Sequence, residues 1–477
     1  MTAGVDEVGI APLRERMRSA LAERVGISRR KATMAVLLTG AFTVSFTITL
    51  LVVVLDTVAK DLNSTVTTVS WSITAPMLVF AVVGPAFGTL GDLFGHKRVF
   101  VFGLLGAGIF AGLAALATSA PMLIALRTLS AACGSAIGPA GMAFTSRLFE
   151  PEERVRPLGV WSFVTAGAPV LGVVAGVPLV ATVGWRVIFL VQAPLCMLGA
   201  LMAWWLLRDT EHQPGARFDL WGALTLGSGA ALVLLGINRG SSWGWSSPFT
   251  VAALLAGVLL LYFFVQVERR VAAPMVPPRW FRTRNVAFPV MSQSLANFGY
   301  MGAFMIVPQM LQQGAGLSLA TVGWLIIARP LTFAIVAPLG ARLTMRTGER
   351  VAGMFGAMTV FTSLIILSSV RTETPLWLIA FGLALSGLGL GVSSPAMSAL
   401  LANAVDDDQL GSASAMQQLV SQMGALLGAT VMITVQEATR ADGILPSYAN
   451  SLVVGASVCV VAGLLASEVR STVRASA

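Results

Sequence analysis

Three groups of residues in this sequence have types and spacings that can do chemistry. The first is the run Gly88-Thr-Leu-Gly-Asp92-Leu-Phe-Gly95-His-Lys97-Arg98. Gly88 lets two helices approach closely and Gly95 permits a tight turn. Asp92 can accept charge-assisted hydrogen bonds from a neighbouring helix end or an arginine, which would latch one of two helix arrangements. The second group is Arg127 and Arg329, each inside a long apolar stretch where charge is expensive. Arg127 could bond backbone carbonyls or a solute, or pack the first and fourth stretches together. Arg329 stands beside Pro330, whose missing N–H favours a kink, with no acid at comparable depth to pair with it. The third group, Gln293, Asn297 and Tyr300, falls at i, i+4 and i+7 and so shares one helix face. That stripe either lines a cavity or glues helices together, at roughly 0.6–2 kcal/mol for each contact.

The elements that carry these residues must be membrane spans. In 477 residues, 56% are apolar and 11% charged, against roughly 25% charged in soluble proteins. Mean hydropathy is +0.81. At about 20 residues per spanning helix, the pattern predicts 14 spans, from 33–55 to 449–467. The net charge of +9 is topological. Of 31 Lys and Arg, only Lys60, Arg186, Arg239, Arg371 and Arg440 fall in loops expected outside, and only Arg127 and Arg329 inside spans. That bias puts both termini in the cytoplasm and argues against nucleic acid. The run at 33–55 is too long for a cleavable signal. Cys133, Cys196 and Cys459 fall inside spans, so no disulfide framework is expected. His96 and His212 stand alone, no metal site is expected, and no phosphate loop or nucleophile–base pair suggests an enzyme. Residues 12–25 place Leu13, Met17, Leu21 and Val25 among Arg14, Arg16, Arg18 and Arg24, a helix on the inner leaflet or a solvated tail.

The chain also repeats itself. Pro85 to Gly95 follows the second span, and Pro338 to Gly348 follows the tenth, each pair ten residues apart and followed by basic residues. Leu-Ile-Ala occurs at Leu123 before Pro139 and again at Leu378 before Pro395. Two copies of a six-helix bundle are therefore expected, with spans 219–237 and 249–267 inserted between them. The expected divisions are an N-terminal segment 1–32, a first bundle 33–208, a linker 209–285, a second bundle 286–468 and a tail 469–477.

The run Gly88 to Arg98 resembles motif A of the major facilitator superfamily, with Gly88, Asp92, Gly95, Lys97 and Arg98 in register. Arg127 to Pro139 is similar to motif B, with Ser130 and Ala131 at two of its positions. Gly167, Gly172 and Gly176 in the fifth span resemble the helix-packing motif C of antiporters, Leu171-Gly172 standing where that motif has Gly-Pro. Gly184-Trp-Arg to Pro194, Phe218-Asp-Leu-Trp, Asn238 to Pro248 and Glu268 to Arg282 extend the likeness over about 33–468. Together they resemble the 14-span drug:proton antiporter family.

The resemblance implies an all-α polytopic membrane protein with the major facilitator fold, exporting amphipathic drugs, antibiotics or metabolites against protons. One position departs from it. Where that family carries a first-span Asp, this sequence has Thr47, and no carboxylate falls at mid-membrane depth. A proton carrier needs a group that titrates as access alternates. Asp56, at the outer end of the first span, is the remaining candidate, its alternative being a solvated acid that ends a helix. The expected pathway residues are Thr47, Asp56, Arg127, Gln293, Asn297, Tyr300 and Arg329. The expected setting is a monomer in the cytoplasmic membrane, with a small-molecule substrate, protons and lipid as partners and the proton gradient in place of a cofactor. The other reading is export of an endogenous anionic metabolite or lipid with no first-span carboxylate.

Overall fold

A computed structural model describes residues 29–47, 51, 54–208, 219–271, 274 and 277–472. The basic segment at 12–25 and His212 lie outside the described residues. Among the described residues every regular element is helical. The first half of the chain runs through α1 (Arg29–Ser45), α2 (Leu55–Asp61), α3 (Val66–Phe94), α4 (His96–Ala115), α5 (Ala120–Gly134), α6 (Ile137–Leu148), α7 (Val155–Val183) and α8 (Val187–Leu206). Then come α9 (Leu220–Trp243) and α10 (Pro248–Glu268). The second half holds α11 (Arg284–Gln309), α12 (Leu319–Thr347), α13 (Glu349–Ser368), α14 (Leu376–Asn403), α15 (Leu410–Ala438) and α16 (Ile444–Ser467).

Eleven of the described helices are long and apolar enough to cross a membrane. Helices α5 and α6 count there as one span with a break. Pro139 explains the break, because its ring clashes with the carbonyl four residues earlier, at Ser135. Helix α11 has the length, but Gln293 and Asn297 dilute its hydropathy. The stretch expected as one span at 33–55 contains α1, with Thr47 still helical, and the start of α2. Asp56 lies in α2, and its side chain is outside the described set.

The repeat is physical. Thr65 and Ser318 cap α3 and α12, accepting from the N–H groups of Thr68 and Thr321 at 3.1 and 3.2 Å, as N-cap hydroxyls do. Gly95 and Gly348 end the same two helices with φ of 94° and 85°, a region that favours glycine. Packing repeats as well. α1 lies on α7 and α8, α3 on α5, and α4 on α5 and α8. In the same way, α11 lies on α15 and α16, α12 on α14, and α13 on α14 and α16. Even the closest approach recurs. A Cβ on Gly172 of α7 would strike the Phe46 carbonyl at the end of α1, and a Cβ on Gly428 of α15 would strike the Phe298 carbonyl of α11. Helices α9 and α10 pack on each other, and α9 also lies along α3 and α15.

Two predictions follow from this packing. Gly172→Leu and Gly428→Leu should each lower stability by about 1–3 kcal/mol through overpacking, seen as a lower melting temperature of the detergent-solubilised protein. The second concerns Asp61, which accepts from Arg186 at 2.6 Å and from Trp185 Nε1 at 3.1 Å, tying α2 to the α7–α8 turn. The Arg186 guanidinium and then the Trp185 N–H hold the Asp61 carboxyl below its usual range. Its contribution is therefore present above the ordinary carboxylate pKa and fades as pH falls through the lowered value. It is small, because both charged side chains are 40% or more exposed. Asp61→Asn should flatten the acid limb of a melting-temperature profile slightly and leave neutral pH nearly unchanged.

Candidate functional site

The structure gathers the motif A residues into a junction between the two halves. Asp92, in the last turn of α3, is buried and points at the first turn of α15. Its carboxylate accepts from the Gly411 N–H at 3.1 Å and from the Ser412 N–H and Oγ, both at 2.8 Å. Helix N-termini carry unsatisfied N–H groups and partial positive charge, so a carboxylate from the other half satisfies both. The geometry requires Gly88, because a Cβ there would sit 2.5 Å from the Gly411 carbonyl oxygen and 2.7 Å from the Ala415 Cβ. Gly95 turns the chain so that His96 opens α4, placing its buried ring with Nε2 3.1 Å from Asp92. Lys97 is buried too, its ammonium 5.3 Å from the Trp204 ring, within cation–π range. Arg98 is exposed.

Sequence reasoning missed the rest of this junction. Arg154, only 6% exposed, donates to Ser146 O of its own half at 2.7 Å. Across the junction it reaches Ala402 O at 3.0 Å, and Asn403 Oδ1 and Asp407 Oδ1 at 3.1 Å. Arg147 donates twice to the Asp407 carbonyl, at 3.0 and 2.6 Å. Asn403 Nδ2 donates to Pro151 O at 3.1 Å and to Thr472 Oγ1 at 3.0 Å. The buried Glu349 carboxylate in turn accepts from Ser471 and Thr472, so the end of the chain joins the same network. In sequence these arginines look like ordinary basic loop residues, since their partners lie some 250 positions away.

Deeper in the helices, the candidates fall into separate places. Tyr300 and Arg329, 29 positions apart on α11 and α12, are brought together. The Arg329 guanidinium carbon lies 3.4 Å from the Tyr300 ring centroid and one of its nitrogens donates to the Tyr300 carbonyl. Phe304 and Phe333 complete an aromatic surround. Arg329 is 1% exposed and its Nε has no hydrogen-bond partner. Asn297 is half-buried, and its Nδ2 donates to Ser421 O and Oγ on α15, at 3.2 and 2.9 Å. Gln293 is buried with its Oε1 unpartnered. Of the roles open to Arg127, a bond to a backbone carbonyl is the one present, and that carbonyl belongs to the second span and not the first. Its Nε donates to Ser72 O of α3 at 3.3 Å, and its guanidinium lies near the Phe189 ring of α8, because the broken α5 packs on α3 rather than on α1. Thr47 is buried. Gly172 sits at the end of α1 as described above, a Cβ on Gly167 would lie 3.5 Å from the Ala334 Cβ of the second half, and Gly176 lies in the same helix. Every helical Asp or Glu among the described residues lies in the first or last turn of its helix. No group of three His, Cys, Asp or Glu among them could hold a metal.

The junction predicts a specific defect. Asp92→Asn keeps one acceptor oxygen but turns the other into a donor facing an N–H group and removes the charge at the helix end, at a cost of about 1–3 kcal/mol. The end at Asp92 should then open, roughly 5- to 150-fold more often, while binding of any solute stays nearly unchanged. Spin-label distances between α3 and α15 would show it, and an equal loss of solute binding would count against the latch.

Known proteins give this arrangement a context. The description of the Major Facilitator Superfamily matches residues 37–220 and 289–472, one stretch in each half. The chain is 31% identical over 421 residues to the puromycin resistance protein of Streptomyces alboniger, covering 87% of this chain and 83% of that protein. It is 24% identical over 417 residues to the tetracenomycin C resistance and export protein of Streptomyces glaucescens, covering 87% and 77%. In fold it is similar to a human organic anion transporter, with a TM-score of 0.69 at 16% identity over 92% of this chain and 99% of that one. With matched segments in both halves and a repeat that packs in the same pairs, the chain belongs to the Major Facilitator Superfamily.

Proposed function

We propose that this chain exports amphipathic small molecules, such as antibiotics or secondary metabolites, by alternating access driven by proton antiport. What carries the reading is the hydrogen-bonded junction between two halves of matching packing. Asp92, Arg147, Arg154 and Asn403 join the halves where motif A lies. Breaking and remaking such a junction lets two rigid halves rock about a central site. The Streptomyces relatives, named for antibiotic resistance and export, support the substrate class. The related proteins are transporters and not enzymes.

The finer arrangement belongs to the same proposal. It has 14 spans, with α9 and α10 inserted between bundles 33–208 and 286–468, both termini in the cytoplasm, and a monomer in the cytoplasmic membrane. No cofactor is required. Gln293, Asn297, Tyr300 and Arg329 belong to the substrate pathway, together with Thr47 and Arg127. Asp56 is the candidate for proton coupling.

A second reading is favoured by one observation. Arg127 and Arg329 are buried cations, and among the described residues no helical carboxylate lies at their depth. A cavity of that polarity suits an anionic amphiphile, moved without a first-span carboxylate. Flux in proteoliposomes separates the two readings, with an imposed pH gradient and cationic, neutral and anionic amphiphiles. Gradient-driven export lost in Asp56→Asn supports the antiporter. Anion-selective flux that ignores the gradient and falls at least tenfold in Arg329→Ala, with partial recovery in Arg329→Lys, supports the second.

A further inference from the structure

The junction at Asp92 has a counterpart on the other side of the molecule, and its chemistry is inverted. Helices α7 and α12 meet there as α15 and α3 meet at the first seam. A Cβ on Gly159 of α7 would sit 2.7 Å from the Ala341 Cβ and 2.8 Å from the Ala337 carbonyl oxygen. Counted from the repeated prolines, Ala341 stands where the first copy has Gly88, and Met345 stands where it has Asp92. The second seam therefore has close packing and no acid.

It has arginines instead. Arg156, in the first turn of α7, and Arg342 and Arg346, in the last turns of α12, line a crevice of about 480 Å³ with Leu343 and Met345. Among the described residues, none of these three arginines makes an ion pair, a side-chain hydrogen bond or a ring contact. Arg156 belongs to the first half, and Arg342 and Arg346 to the second. Closing this end of the molecule therefore gathers like charges across the seam, which is unfavourable unless an anion lies between them. The first seam supplies its anion from the chain, but the second does not.

We infer that this crevice binds the phosphate of an anionic phospholipid, which bridges Arg156 to Arg342 and Arg346 and does at the second seam what Asp92 does at the first. Guanidinium forks match phosphate oxygens in pairs, and basic pockets between spanning helices suit lipid headgroups. A lipid fits better than a free ion because of the crevice's flank. Leu339 and Leu343, one turn apart on α12, are 53% and 50% exposed, an apolar ramp for an acyl chain next to the charged mouth. The basic loops expected at this end would also face the leaflet rich in anionic lipid. Binding stands independently of any transport assay. Only its effect on closure rests on the two-state reading above.

The test uses the full chain in nanodiscs of phosphatidylcholine, with or without phosphatidylglycerol, and no substrate or pH gradient. Native mass spectrometry counts retained lipid, and spin labels across the α7–α12 seam report closure. Phosphatidylglycerol should be retained and should raise the closed population. Arg156→Gln, Arg342→Gln and Arg346→Gln should each weaken retention about fivefold, the counterpart of about 1 kcal/mol for each basic residue at an anionic surface. Arg346→Lys should keep most of it, which separates lost charge from misfolding. Arg269→Gln with Arg270→Gln, on the exposed end of α10, is the control. The assignment is overturned if that control loses as much lipid as the seam variants, if the seam variants retain lipid like wild type, or if inorganic phosphate in phosphatidylcholine discs closes the seam equally well. An export failure in the flux assay would leave lipid retention unchanged, so the two proposals fail separately.

Discussion

A helix that begins at a boundary between two packed halves exposes N–H groups that nothing in its own helix can satisfy. In this protein α15 begins at such a boundary, and the carboxylate that satisfies it comes from the opposite half. Much of the surrounding design follows from that constraint. Gly88 has no side chain because the acid and the helix end must meet at backbone distance. Gly95 takes a positive φ so that α4 can turn back beside the junction. Arg154 is buried because it anchors the next loop across the same boundary.

The two seams show what a repeat preserves and what it releases. Helix pairing, N-caps, positive-φ turns and the glycine-on-carbonyl contacts recur in both halves, because the same pairs of helices must meet in the same way. Charge does not recur. At one seam an internal acid offsets a helix end, and at the other arginines face one another across a cleft. Closure at one end of the molecule is therefore a polar event on one side and an apolar, cation-lined one on the other.

Within the helices, the buried arginines are handled with aromatic faces and backbone oxygens rather than with acids. Arg329 lies against Tyr300 and Arg127 near Phe189. Aromatic faces attract a cation without neutralising it, so its charge remains in the surrounding field. This is the physical basis for weighing an anionic solute against a proton-coupled amphiphile. The Asn297 bond to Ser421 joins α11 to α15, which is one of the two roles open to a polar stripe on a helix.

Much of this was legible in the residues alone. Apolar run lengths, the two proline–glycine segments and the Gly88–Arg98 pattern are local properties, so they announce helices, a repeat and a latch without reference to anything distant. The break between α5 and α6 has a local cause as well, a proline acting on the carbonyl four residues before it, although the apolar run by itself predicts one unbroken span. What the sequence did not show is which residue answers which. Asp92 could have met an arginine or a helix end, and only the packing of α3 on α15 chose the helix end. Arg127 found α3 rather than α1, Arg329 found Tyr300, and Arg154 found Ala402 and Asp407 about 250 residues away. Such pairings follow from how helices cross, and crossing is decided by the summed contacts of whole faces, which no single spacing along the chain encodes.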